Sequence, residues 1–157
     1  MDELWEAEFR GFFFGEGYIG MNKVKPRQGV NAYRAVAQIN IRADDAAVLY
    51  DIQRHLGGSV HNRIRPGTPF AKYVSHPSIE WSVTNRDELR RVVAILLRGQ
   101  LPSKKRHVVE LFAEAIELMK SRGGRYTMEE RIHLDELVQA MKAAREYVPQ
   151  EGQVISA

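Results

Sequence analysis

The sequence of 157 residues contains no cysteine, so disulfide bonds and thiolate metal sites are both excluded. It also lacks any apolar run that approaches the roughly 20 residues needed for a membrane-spanning helix. The N-terminal segment is acidic and has no basic start of the kind that opens a signal peptide. We therefore expect no contact with a membrane and no secretion. The expected location is the cytoplasm or the nucleoid, or an organelle if the gene is encoded there.

The composition that remains is typical of one globular domain. Apolar residues make up 44% and charged residues 27%, as in ordinary soluble proteins. A chain of this length can bury a core without covalent cross-links. We expect residues 1–147 to form a single domain and residues 148–157 to form a flexible tail.

Positive charge is concentrated in the middle of the chain, although the net charge is only +3. Residues 17–76 hold nine Lys or Arg against three acids, whereas residues 1–16 hold one against five. Such an excess is often no more than a solvated surface. It indicates phosphate binding only if the charges share one face.

Apolar periodicity predicts the order α-β-β-α-β-β-α, followed by two more helices. The predicted helices span residues 3–15, 45–55, 87–98, 103–121 and 128–146, and the predicted strands span 18–27, 33–42, 59–65 and 78–84. Asp2 and Asp44 are predicted helix N-caps, and Thr127 with Glu130 forms a capping box. Val48, Leu49, Ile52 and Leu56 are predicted to form the apolar side of the second helix. Residues 66–77 are predicted to form a long exposed hairpin loop.

Each predicted strand has one apolar face and one polar face, which predicts a sheet with one solvated side. Any such sheet carries polar residues there, but Glu80 is the only acid on the four strands. This scarcity of acids favours a nucleic-acid surface, because the remaining side chains suit base edges and phosphates. The residues predicted to contact DNA are Asn22, Lys23, Lys25, Arg27, Arg34, Gln38, Asn40, Arg42, His61, Arg63, Arg65, Lys72, Tyr73, Glu80, Ser82 and Thr84.

The first helix contains two glycines four residues apart, Gly11 and Gly15. Each mid-helix glycine costs about 1 kcal/mol relative to alanine. Their spacing puts them on one face in line with Ala7, and a bare stripe of this kind lets a second backbone approach closely. The stripe fits either a helix of the same chain or a second copy, for which the predicted interface residues are Ala7, Gly11, Phe12 and Gly15.

Glu16 follows at the end of the same helix, between Gly15 and Gly17. The helix dipole disfavours a negative charge at this end. A divalent cation is the natural compensation, so Glu16 is a candidate metal ligand.

The run FRGFFFGEGYIG, residues 9–20, resembles the LAGLIDADG motif in the variant that ends in G-E-G, and residues 4–121 follow the element order of the LAGLIDADG homing endonucleases. The resemblance implies an α+β fold whose antiparallel four-stranded saddle straddles DNA in the major groove, with additional C-terminal helices. The motif occurs once, so the resemblance implies a homodimer and a near-palindromic target. Phe14 and Ala43 depart from the family pattern. The family often has a water-ordering Gln at the latter position, and that role is either absent or moved to Arg42.

The resemblance also implies site-specific, metal-dependent cleavage of double-stranded DNA that leaves staggered ends. Glu16 and the carbonyl of Gly15 would bind Mg²⁺, and Mn²⁺ or Ca²⁺ could occupy the same site. A basic residue is expected near each scissile phosphate, with Lys104 the first candidate and Lys105 the second.

Three other functions stay open at this point: an intron RNA maturase, a DNA-binding regulator that does not cleave, and an interaction domain that merely dimerises through Gly11 and Gly15. The presence of Glu16 argues against a scaffold that only binds, without excluding a protein with both activities. The acid-poor strand face argues against the interaction domain.

Overall fold

The structure is a computed structural model that describes residues 2–24, 33–63, 77–120 and 124–146. These residues form five helices and one four-stranded antiparallel sheet. The helices are α1 (Glu3–Glu16), α2 (Ala46–Leu56), α3 (Arg86–Arg98), α4 (Ser103–Leu118) and α5 (Met128–Arg145), and the strands are β1 (Gly17–Lys23), β2 (Tyr33–Arg42), β3 (Ser59–Asn62) and β4 (Ser78–Val83). The predicted α+β class and element order are confirmed.

Helix α1 is fixed at its start by a cap and on one side by aromatic packing. The side chain of Asp2 accepts a hydrogen bond from the backbone of Leu4 at 3.1 Å, which satisfies one of the free N–H groups of the first turn. Trp5 stacks on Phe9 with ring centroids 5.4 Å apart. The indole of Trp5 also donates to Asp51 at 2.8 Å, which ties α1 to α2.

The strand order is β1-β2-β4-β3, so β2 and β4 form the centre of the sheet. Ile39 lies opposite Trp81 in that central pair, and Gly17 lies opposite Ile39 in the outer pair. Strand β1 follows α1 without an intervening residue. The end of α1, which carries Glu16, therefore lies beside the last residues of β2.

The core lies between the sheet and the helices that cover one of its faces. Ile39, Trp81, Leu89, Phe112 and Leu134 are fully buried, and each such side chain stabilises the fold by roughly 1.5 to 3 kcal/mol relative to an exposed one. The alternation predicted for β2 is confirmed. The opposite face of the sheet is left for polar side chains.

The predicted cap at Asp44 is wrong. Ala43–Asp45 forms a short 3-10 turn, α2 begins at Ala46, and its cap position makes no side-chain hydrogen bond. The carboxylate of Asp44 instead accepts two hydrogen bonds from Arg42, from Nε at 3.2 Å and from Nη2 at 3.0 Å. A charged fork of this kind is a stronger partner than a backbone N–H.

The predicted burial of Val48 is also wrong, because its side chain is 37% exposed while Leu49, Ile52 and Leu56 are buried. The predicted hairpin loop lies outside the described residues except for Pro77, and the predicted tail lies outside them entirely. No helix in the described ranges is both long enough and apolar enough to cross a membrane.

Candidate nucleic-acid interface and metal site

The face of the sheet away from the helices gathers most of the predicted DNA contacts. The strand register places Gln38 beside Ser82 and Asn40 beside Glu80, and it places His61 on the other side of Glu80. Side chains alternate between the two faces of a strand, so these residues share one surface. The predicted residues on this polar face are Asn22, Arg34, Gln38, Asn40, Arg42, His61, Glu80 and Ser82.

A depression of about 340 Å³ lies on the polar face, lined in part by Asn22, Arg34, Gln38, Arg63 and Glu80. Arg63 Nη1 donates to Glu80 Oε2 at 2.9 Å. The side chain of Glu80 is only 12% exposed, and this ion pair neutralises its carboxylate within the depression. The one acid of the strands therefore does not oppose a nucleic-acid backbone here.

One predicted contact lies on the helix side of the sheet, one follows the end of β4, and five lie outside the described residues. Lys23 forms an ion pair with Asp135 of α5 at 3.0 Å, because its position in β1 places it on the helix side of the sheet. Thr84 is exposed just after β4 ends. The five that lie outside the described ranges are Lys25, Arg27, Arg65, Lys72 and Tyr73.

The outer side of α1 is open. Ala7, Gly11 and Gly15 are exposed, and Phe12 is half-buried. A Cβ atom added at Gly11 or Gly15 would meet no described atom within 4 Å. Packing within the described part of the chain therefore does not account for the two glycines, and the hypothesis of a partner helix in the same chain fails for these residues.

Lys105 lies against the last turn of α1. Its ammonium donates to the carbonyl of Phe14 and sits 4.0 Å from the centroid of the Phe14 ring. A cation in this position compensates the negative end of the helix. Lys104 makes no hydrogen bond or ion pair with any described residue, so of the two candidate lysines Lys105 is the one that contacts the last turn of α1.

Glu16 is exposed and borders a concavity of about 650 Å³. The last turn of α1, the end of β2, the 3-10 turn and the first turn of α2 form its walls. The lining residues are Phe12, Glu16, Ile41, Arg42, Asp44, Asp45, Ala47 and Val48. Arg42 is the one cation among them. The exposed side chain of Val48 lies in this wall.

The donor set at Glu16 suits an open metal site better than a closed one. Within the described ranges, no three Asp, Glu or His side chains gather as a ready metal cage. Mg²⁺ keeps several waters and needs few protein ligands. One exposed carboxylate with the neighbouring carbonyl of Gly15 therefore fits a site at which the ion keeps several waters or other oxygen ligands.

The clearest pKa shifts belong to groups that hold the fold together. Burial, followed by the hydrogen bond to Asp135, raises the pKa of Tyr33 to about 12. The hydrogen bonds from Arg90 lower the pKa of Glu117 to about 2. These groups join β2 to α5 and α3 to α4. They are remote in sequence from the motif and do not line the concavity.

One further contact was not predicted from the sequence. Arg145, at the end of α5, donates to the carbonyl of Ile19 and lies 4.9 Å from the ring centroid of Tyr18. A Cβ atom at Gly20 would lie 2.8 Å from the same guanidinium. A glycine inside a strand is a signal of such a close approach, but it does not tell which residue approaches. The contact gives a partner to an edge-strand carbonyl.

Comparison with known proteins gives matches only among solved structures: no protein-family model matches the chain, and no curated protein matches it. The homing endonuclease I-CvuI, in complex with a DNA target, is 19% identical with a TM-score of 0.72 over 94% of this chain and 86% of that one. The archaeal intron-encoded homing endonuclease I-Vdi141I, complexed with DNA, is 20% identical with a TM-score of 0.71 over 96% and 90%. The LAGLIDADG meganuclease I-AabMI, bound to uncleaved DNA, is 24% identical with a TM-score of 0.58 over 92% of this chain but 43% of that one. Together with the element order and the four-stranded antiparallel sheet, these similarities show that the chain has the LAGLIDADG homing endonuclease fold.

Proposed function

We propose that this chain is a site-specific homing endonuclease that acts as a homodimer and cuts double-stranded DNA with a divalent metal. The observation that carries the proposal is the outer side of α1. Two glycines with open space above them, Gly11 and Gly15, lead directly to the exposed carboxylate of Glu16. The polar sheet face begins where that helix ends.

Dimerisation through α1 would explain the two exposed glycines, which the folding of a single chain does not explain. If the stripes of two copies pack together, the glycines allow close backbone approach, and the two Glu16 side chains come near the twofold axis. Leu4, which is 65% exposed, and Val48 would add apolar contact at the edges of the stripe. The match with I-AabMI supports dimerisation, because this chain covers only 43% of I-AabMI. The rest of that longer chain could hold a second unit of the same fold.

The polar face supplies the groups for DNA recognition. The major groove admits a two-stranded ribbon, and Arg with Asn or Gln side chains match the exposed edges of guanine and adenine. The DNA complexes of I-CvuI and I-Vdi141I support the same use of the fold here. A twofold-symmetric protein would bind a long, near-palindromic site, with one half for each subunit.

Glu16 from each subunit, with the carbonyl of Gly15, would hold Mg²⁺, and Mn²⁺ or Ca²⁺ would fit the same oxygen ligands. The structures of I-CvuI obtained with Mg and with Ca support a divalent ion at this fold. The ion supplies activation of water and stabilisation of the leaving oxygen. Lys105, held at the end of α1 by the Phe14 carbonyl, would place its charge beside a phosphate near Glu16. Cutting one phosphate on each strand would leave staggered ends.

Selection from a random duplex library tests the proposal. The protein is incubated with the library and Mg²⁺, and the cut ends are sequenced. We expect one long, nearly symmetric site with staggered ends. Glu16→Gln should abolish cutting while leaving DNA binding in Ca²⁺ largely intact.

The matched control is Glu129→Gln, which removes the same charge from an exposed position on α5 and should cut normally. Loss of both binding and cutting in Glu16→Gln would mean that Glu16 has a structural role. If the wild-type protein binds duplex DNA but never cuts it, the function is that of a DNA-binding regulator and the proposal is wrong. Preference for intron RNA over DNA would point instead to a maturase.

A further inference from the structure

The concavity beside Glu16 contains a cation whose orientation is fixed. Arg42 is the last residue of β2, and its Nε and Nη2 atoms bind the two oxygens of Asp44 at 3.2 Å and 3.0 Å. Two parallel hydrogen bonds set the plane of a guanidinium as well as its distance. Arg42 and Glu16 both line the same concavity.

The pairing with Asp44 leaves Arg42 able to bind a second anion. A guanidinium carries five N–H donors, and the fork to Asp44 engages one side of it. None of the described residues engages Nη1, and the side chain is 57% exposed. A planar guanidinium is well suited to phosphate oxygens.

The place of Arg42 in the sheet separates it from the other polar residues of β2. Arg34 and Gln38 line the depression further along the polar face, whereas Arg42 lines the concavity at the end of α1. Lys105 lines a different cavity, with Phe14 and Tyr18. The two cations therefore approach the end of α1 from different cavities.

We infer that Arg42, oriented by Asp44, binds the DNA phosphate adjacent to Glu16 and does not contact a base edge. This inference rests on the proposed function and adds a second cation, besides Lys105, to the cleavage centre. Asp44 is then a positioning residue, because it acts on the phosphate only through Arg42.

Electrostatics at the concavity supports this role. Glu16, Asp44 and Asp45 all line it, and three carboxylates without a cation would repel a phosphate. Arg42 pairs with Asp44 and keeps N–H donors that Asp44 does not engage. Removing Arg42 therefore removes a donor and leaves an unpaired acid in its place, so its loss should have a large effect.

The experiment compares Arg42→Ala, Arg42→Lys and Asp44→Asn with the wild type on the duplex recovered by selection. The control is Arg54→Ala, which removes an exposed arginine that is also paired to an aspartate, on the outer side of α2. The first measurement is the cleavage rate with Mg²⁺ at saturating protein. The second is the Kd without metal, for the natural duplex and for one whose scissile phosphates are neutral methylphosphonates.

Arg42→Ala should slow cleavage by about 100-fold, as loss of one preorganised charge-stabilising donor does elsewhere. Arg42→Lys should be intermediate, because it keeps the charge and loses the fork. The wild type should bind the methylphosphonate duplex more weakly than the natural one, and Arg42→Ala should lose most of that preference. Asp44→Asn should slow cleavage less, and its effect should vanish in the Arg42→Ala background, since the two residues act as one unit. Arg54→Ala should match the wild type.

Two results would overturn the inference while the proposed function stands. One is an Arg42→Ala protein that cuts at the wild-type rate, or whose only defect is weaker binding that depends on the identity of one base pair. The other is an unchanged preference for the natural phosphate in Arg42→Ala. A wild-type protein that does not cut any selected duplex would overturn the proposed function, and this inference with it. Thermal unfolding of each variant checks that the fold is intact.

Discussion

The two sides of α1 differ sharply in packing. On the inner side, Phe9 and Phe13 are 3% and 6% exposed, and Phe9 meets Trp81 edge-on with centroids 6.3 Å apart. On the outer side, Gly11 and Gly15 have no described neighbour for a side chain to meet. The inner side explains how the chain folds. The two glycines on the outer side destabilise the helix and make no contact that the fold of a single chain needs. Such a local conflict is typical of a functional site.

The largest expected effect comes from removing an aromatic side chain on the inner side of α1. Phe9→Ala should lower the free energy of unfolding by about 3 to 5 kcal/mol, because it leaves a cavity against Trp81. Denaturant titration at fixed protein concentration measures it. The control on the outer side is Leu4→Ala at a 65% exposed position, which should change the unfolding free energy little when both variants are measured at a protein concentration too low for association. Equal losses in both variants would mean that the two sides of α1 do not differ as described.

The next prediction concerns a large side chain introduced on the outer side of α1. Gly11→Leu should leave the fold of each chain intact, since open space surrounds the position. It should wedge two α1 helices apart and weaken association by several kcal/mol, at about 1 to 3 kcal/mol for each overpacked copy. Sedimentation velocity measures the shift from dimer to monomer, and cutting should be lost with it. A soluble, dimeric Gly11→Leu protein would refute the interface.

A third prediction compares glycines at the end of the helix. A Cβ atom at Gly17 would lie 2.6 Å from Phe13 Cγ, whereas one at Gly15 would meet nothing described. In the monomeric Gly11→Leu background, Gly17→Ala should destabilise the chain by about 1 to 3 kcal/mol through overpacking. Gly15→Ala in that background should stabilise it by up to about 1 kcal/mol. Thermal or urea unfolding of the two variants measures the change in unfolding free energy for each. A destabilising Gly15→Ala would indicate a neighbour of Gly15 within the same chain.

The smallest effect concerns exposed residues that do have partners, in contrast to the outer side of α1. Arg90 binds Glu117 through two hydrogen bonds, at 2.7 and 2.6 Å, and holds the pKa of Glu117 at about 2, below its ordinary 4.5. Because the folded pKa is lowered, the stabilisation is present above pH 4.5 and is lost as the pH falls toward 2. The carboxylate is 53% exposed, so the effect should be only about 1 kcal/mol. Glu117→Gln should flatten the dependence of unfolding free energy on pH in that window, and an unchanged slope would contradict the prediction.

Sequence patterns predicted the site best where its residues lie close together in the chain. The helix that ends at Glu16 and the polar alternation of β2 were both predicted, because each depends on spacing within one segment. The wrong predictions concern contacts that a local pattern does not identify. Asp44 was predicted to cap α2, but its carboxylate accepts hydrogen bonds from Arg42. Val48 was predicted to lie on the apolar side of α2, but its side chain is 37% exposed. Lys23 stays a predicted DNA contact, and its ion pair with Asp135 of α5 was not predicted.

Spacing of apolar residues, glycines and one acid determined the helices, the strands, the two faces of the sheet and the motif, because these properties depend on neighbours three or four positions away, or two in a strand. The tertiary structure alone decided that β2 lies beside β4, that Lys105 reaches Phe14 and that Arg42 shares a concavity with Glu16. Those contacts join segments far apart in the chain. They are set by the packing of whole elements, and a local sequence pattern carries no record of them.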